Sequence, residues 1–164
     1  DRPVYGESEY ARLGFGWASL RSVTTDQWKY IEAPRSELYD RAKDPGENVN
    51  VIAEHSDIAA QMQAKLWNMT KAMTLRAEPS SARNVEMVNR LRSLGYVGGG
   101  TSPPGAAGSN PGRDPKDMVG AFRAHSKAVD LQLKERYAEV LPIMERLVQE
   151  SPESVEFFNT LVIA

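Results

Sequence analysis

The sequence predicts an α+β chain: a small antiparallel sheet packed by one long helix, then a flexible linker, then an α-helical hairpin. Three observations carry that prediction. Residues 16–50 hold the period-two alternation, rich in aromatic and β-branched side chains, that marks short strands. Residues 56–73 hold apolar side chains at helical spacing instead. Residues 98–116 (GGGTSPPGAAGSNPGRDPK) offer Gly, Pro, Ser and Ala with little to pack, and a second helical pattern starts beyond them. The domain division follows as 1–97, a linker over 98–116, and 117–164.

Taken in order, residues 3–10 (PVYGESEY) suit an edge strand, because proline is tolerated at a strand start. Residues 11–16 are then expected to carry the chain into the meander. Its first strand is expected over 17–23, with Trp17, Ser19, Arg21 and Val23 on one face. The second is expected over 28–33, with Trp28, Tyr30 and Glu32 opposite Lys29, Ile31 and Ala33, and a third over 37–40. Asp44-Pro45-Gly46-Glu47 reads as a type I turn, since proline pre-sets φ and the aspartate can accept from the backbone. Asn50 is placed to cap a short turn over 51–54.

Ser56 and Asp57 suit the start of the long helix, one as a cap and the other at the positive end of the dipole. Ile58, Met62, Leu66, Met69 and Met73 form its apolar stripe, expected to cover one sheet face. Each such burial contributes about 1.5–3 kcal/mol before entropy is subtracted. A further helix is expected over 81–94, stopped by Gly95. Beyond the linker, Met118, Phe122, His125, Val129 and Leu133 suggest one helix. Tyr137, Val140, Leu141, Met144, Leu147 and Val148 suggest a second, and Phe158, Leu161 and Val162 a third. Pro142 lies inside the second pattern and is expected to kink it or delay its start, because it cannot donate to the carbonyl of Ala138.

Composition excludes several classes of function. The 164 residues carry a net charge of −2, which gives no general attraction to nucleic acid or an anionic membrane. With no cysteine, disulfides, thiolate catalysis and thiolate metal sites are excluded within this chain. No apolar run of about 18 residues exists, so no membrane-spanning segment is expected. The chain opens on Asp1-Arg2-Pro3 and ends on an apolar helical pattern, as expected of a piece of a longer protein.

Catalytic motifs are sparse. There is no His-Glu-x-x-His, calcium-loop pattern or Gly-x-Ser-x-Gly. The glycines at 98–100 lack the strand, helix and Gly-Lys-Ser of a phosphate loop. His55 is expected to face solvent, and His125, on an apolar stripe, to be a satisfied interface histidine. Arg21 and Lys29, with Trp17 and Trp28, have the composition of an anion pocket and equally that of ordinary sheet surface and core.

Two resemblances add to this reading. Over 121–164 the helical pattern resembles a tetratricopeptide repeat of about 34 residues. Ala128 falls at the small contact position, Leu131 at the large one, Pro152 at the closing proline and Phe158 at the next aromatic. Val140 and Pro142 depart from the pattern. The runs Tyr5-Gly6-Glu7, Gly16-Trp17, Leu20-Arg21, Lys29-Tyr30-Ile31 and Ala33-Pro34-Arg35 precede a more specific string, Glu37-Leu38-Tyr39-Asp40 with Asp44-Pro45-Gly46-Glu47-x-x-Asn50. Together they resemble the C-terminal subdomain of sulfatases, of the alkaline-phosphatase-like superfamily. Arg92-Ser93-Leu94-Gly95-Tyr96-Val97 resembles the tail of bacterial sulfatase-like proteins that continue into such repeats.

The resemblance implies a parent sulfuric ester hydrolase with a formylglycine nucleophile beside a divalent cation, usually calcium. That nucleophile is made within a Cys/Ser-x-Pro-x-Arg motif, which this chain lacks, so no catalytic or metal residue carries over and no cofactor is expected here. The implied partners are an N-terminal sulfatase catalytic domain and a protein bound through the helical repeat. The implied location is periplasmic or extracellular. By the same analogy Glu7, Trp17 and Arg21 are the candidate substrate-binding residues at the pocket edge. The alternatives are a non-enzymatic interaction module, or a phosphoesterase or phosphotransferase of the same superfamily.

Overall fold

The computed structural model describes residues 2–76 and 112–164. The helix expected over 81–94, its Gly95 stop, the 92–97 string and positions 98–111 of the expected linker lie outside those residues.

Strands β1 (Val4–Ser8), β2 (Leu20–Thr24), β3 (Trp28–Glu32) and β4 (Glu37–Asp40) form one antiparallel sheet in the order β1-β2-β3-β4. Register sets its buried face. Tyr5 pairs with Val23, Val23 with Tyr30, and Tyr30 with Leu38, so one row of large side chains crosses all four strands. Helix α2 (Ser56–Arg76) lays Ala59, Met62 and Leu66 onto that row, with Ile58 and Met69 alongside. Met73, the last member of the expected stripe, is exposed instead. On the other face, Leu20, Ile31 and Tyr39 are half-buried. Salt bridges from Lys29 to Glu47 (2.5 Å) and from Lys116 to Glu37 (2.9 Å) also involve that face.

The turn after β4 folds as its residues predict. Glu47 N–H donates to the Asp44 carbonyl (3.0 Å), while the Asp44 carboxylate accepts from Asn48 and Val49 N–H (2.6 and 2.8 Å). Asn50 Oδ1 accepts from Ile52 N–H (3.1 Å) and also from Leu38 N–H (3.0 Å), so one side chain joins the short turn to the edge strand. His55, expected at the surface, is half-buried with its ring 5.2 Å from that of Trp28.

Two elements depart from expectation near the start. Residues expected only to lead into the meander form helix α1 (Tyr10–Phe15), closed by Gly16 in the left-handed conformation (φ 72°). A side chain at Gly16 would be strained there, which is why glycine suits the stop. The first meander strand begins at Leu20 rather than Trp17 because the preceding amides are engaged elsewhere. Trp17 N–H donates to the Ala11 carbonyl (3.1 Å) and Ala18 N–H to that of Arg113 (2.9 Å).

Helices α3 (Val119–Leu133), α4 (Tyr137–Glu150) and α5 (Val155–Ile163) build a second core. It contains Met118, Ala128, Leu131, Val140, Met144, Leu147 and Phe157 together with Phe15 and Trp17. The helical hairpin is thereby seated on α1 and the entry to β2. α4 starts at Tyr137, ahead of Pro142, so the delayed start does not occur. Registers shift slightly from the sequence stripes. Leu133 is 80% exposed, and in α5 it is Phe157, not Phe158, that enters the core. The Ser154 cap fixes this rotation by accepting from Phe157 N–H (3.2 Å) while its hydroxyl donates to the Gly14 carbonyl (3.4 Å).

The last positions of the expected linker, 112–116, are held against both cores. A Cβ on Gly112 would lie 2.5 Å from the Trp17 carbonyl carbon and 2.6 Å from the Ala18 nitrogen, so two backbones meet there with no room for a side chain. Arg113 donates to the Glu150 carbonyl (2.9 Å) and the Ser151 hydroxyl (3.3 Å). Asp114, only 4% exposed, accepts from Arg35 N–H (3.1 Å) and Lys116 N–H (3.0 Å). Arg35 in turn forks onto Asp117 (2.6 and 3.0 Å), completing a polar clasp between the β3–β4 connection and the start of the helices.

Candidate functional site

The residues singled out by sequence separate into two places. Glu7 on β1 and Arg21 on β2 are direct register partners, and Arg21 is also the partner of Glu32 on β3. The three charges thus form one cross-strand row beside the Tyr5–Val23–Tyr30 row, on the same side of the sheet. Arg21 is 17% exposed with Nη1 3.7 Å from Glu32 Oε2. The Tyr5 hydroxyl donates to Glu7. Loss of water around the phenol, then that hydrogen bond and the Glu7 charge, push its pKa up to about 12. This Tyr-Glu-Arg-Glu patch can orient a polar ligand by hydrogen bonds, and it carries more negative than positive charge.

Trp17 is not part of that patch. It is 3% exposed, stacked on Phe15 (centroids 4.5 Å apart, 18° between planes) and edge-on to Phe157 at 6.2 Å. Its indole serves the helical core.

One pair has the outward form of an activated nucleophile. His125 Nε2 lies 2.9 Å from Thr160 Oγ1, and nucleophile activation requires a hydroxyl within reach of a base. The hydrogen bonds assign the opposite polarity. The Thr160 hydroxyl donates to the Glu156 carbonyl (2.9 Å), so its oxygen accepts from His125 Nε2–H and the ring acts as donor. Both side chains are buried, and the imidazole lies between Phe15 and Phe157. Burial holds the imidazole pKa below its ordinary 6.5, against a smaller opposing pull from Glu156. The pair is a structural hydrogen bond between α3 and α5.

Among the described residues no three His, Asp or Glu side chains gather as a metal would require. No helix among them is long and apolar enough to cross a membrane. Sequence reasoning names Arg35 only within the Ala33-Pro34-Arg35 run and gives Asp114 no role. Asp114-Pro115 is a turn signal of the same kind as Asp44-Pro45, but its place at the end of a Pro- and Gly-rich stretch hides it in the expected linker. Comparison with protein-family models and with curated proteins gives no match for this chain.

Proposed function

We propose that the chain is the non-catalytic C-terminal part of a sulfatase-like sulfuric ester hydrolase, supporting an N-terminal catalytic domain and carrying a helical repeat for protein interaction. The observation that supports this most directly is how the most specific part of the resemblance is used. In residues 37–50, Asp40 accepts from Ala42 N–H (3.2 Å), Asp44 closes the turn, Glu47 pairs with Lys29, and Asn50 bonds Leu38 and Ile52. These four side chains tie β4 and its turn to each other and to β3, a structural use of the string that suits a supporting subdomain. The Glu7–Arg21–Glu32 row is the surface offered to the pocket edge. The outward apolar side chains Val155, Phe158 and Val162 of α5 favour a protein partner for the hairpin.

Two measurements test the reading. The isolated chain is expected to leave an aryl sulfate intact with or without added calcium; metal-dependent turnover by the pure chain overturns it. The coding sequence ahead of Asp1 is expected to contain Cys/Ser-x-Pro-x-Arg. A Thr or Ser nucleophile without that motif there would move the parent to the phosphoesterases, and neither would leave an interaction module.

A further inference from the structure

The imidazole of His125 stands where three elements meet. It is 8% exposed, with its centroid 5.7 Å from Phe15 of α1 and 5.3 Å from Phe157 of α5, while Nε2 bonds Thr160 of the same α5. Every ring contact on it is aromatic, and its one hydrogen-bond partner among the described residues is a hydroxyl. Among the described residues the charge that pulls on the ring is that of Glu156 on α5, which favours the imidazolium less than burial opposes it. Such a site accepts a neutral ring and resists an imidazolium, because a second N–H and a positive charge must be carried into an apolar seam.

We propose that His125 is an acid-sensitive latch, whose protonation unseats α5 from α1 and α3 while the sheet and α2 stay closed. The division into two cores makes such a release local. The ring contacts of His125 are to Phe15 and Phe157 of one cluster, whereas Val23, Tyr30, Leu38, Met62 and Leu66 form a separate one. α5 is also joined to α1 by few polar contacts, chiefly Ser154 to Gly14. Release uncovers Phe15, Trp17 and Phe157, an apolar surface presented only in acid.

The direction of the pH dependence follows from linkage. The neutral ring is favoured in the fold, so the contribution is fully present above the ordinary imidazole value of 6.5. As pH falls through 6.5 the unfolded or released form takes the proton first, and stability declines until the folded ring also titrates. The carboxylates do not confuse this window. Asp44 is held below 3.8 by backbone hydrogen bonds led by that from Val49, and Asp117 by its hydrogen bond from Arg35. Their contributions are present above 3.8 and are lost only in stronger acid.

Amide hydrogen exchange on the whole chain at about pH 7.5 and about pH 5, corrected for intrinsic rates, tests the latch. Amides of α5 are expected to lose protection about tenfold for each unit by which burial lowers the ring's pKa. Those of β2 and β3 should hold theirs. His125→Gln, which keeps an N–H donor but cannot titrate here, is expected to remove the acid step. Unchanged protection in α5, equal loss in the sheet, or an acid step that survives His125→Gln each overturns the proposal. Should that variant fail to fold, imidazole titration followed by NMR in the unaltered chain decides. Its midpoint must coincide with the loss of α5 protection, and a midpoint elsewhere overturns the latch.

Discussion

The two cores of this chain are built in opposite ways. The sheet core gathers side chains between Tyr5 and Met69, from elements that follow one another closely, and its large residues align in a single row fixed by strand register. The helical core joins Phe15 and Trp17 to residues from Met118 to Phe157, so it forms only when distant parts of the chain meet. Phe15 is its hub, with ring contacts to Tyr10, Trp17, Phe122, His125 and Phe157. A core assembled from neighbours is set by alternation, whereas a core assembled by docking depends on one or two anchors.

The largest test of that contrast is Phe15→Ala, expected to cost about 3–5 kcal/mol as a buried aromatic is lost. Denaturant unfolding monitored by amide exchange should place that loss in α3–α5 and leave β2 and β3 protected. Equal loss in both regions would mean that the cores unfold as one unit. Leu38→Ala, at the sheet end of the contrast, is expected to cost about 2–5 kcal/mol, with protection falling in the strands and α2. The clasp between the two regions gives a smaller effect. Asp114→Ala removes the acceptor of two backbone N–H groups and should cost about 1–3 kcal/mol in thermal or denaturant unfolding. The smallest is Ser154→Ala, about 1 kcal/mol for the lost α5 cap, seen as faster exchange at Phe157 N–H.

Legibility in the sequence divides along the same line. The strand over 37–40, the alternation of Trp28, Tyr30 and Glu32, and the stripe from Ile58 to Met69 were all readable, because each rests on a local period. The Asp44 turn and Asn50 cap were readable from side chains that bond their own neighbours. α1 was not, since six residues are too short to show a helical stripe; its one available signal was Gly16 directly after Phe15. The inward rotation of α5 also escaped periodicity, because apolar residues lie on all sides of that helix and only the Ser154 cap selects Phe157 over Phe158. For the candidate site, the Glu7–Arg21 pairing needed the β1–β2 register, and the removal of Trp17 into the helical core needed the docking of distant helices.

The close approach at Gly112 has a consequence for how this sequence tolerates change. Its Cα faces the Trp17–Ala18 peptide, and any side chain at that position would collide with main-chain atoms that have no rotamer to escape into. In a saturation library selected for folding, position 112 should return glycine alone, while the exposed Arg113 beside it should admit other residues. A single hydrogen-sized vacancy thereby makes the seating of residues 112–116 against the Trp17–Ala18 backbone a heritable, selectable property of one codon.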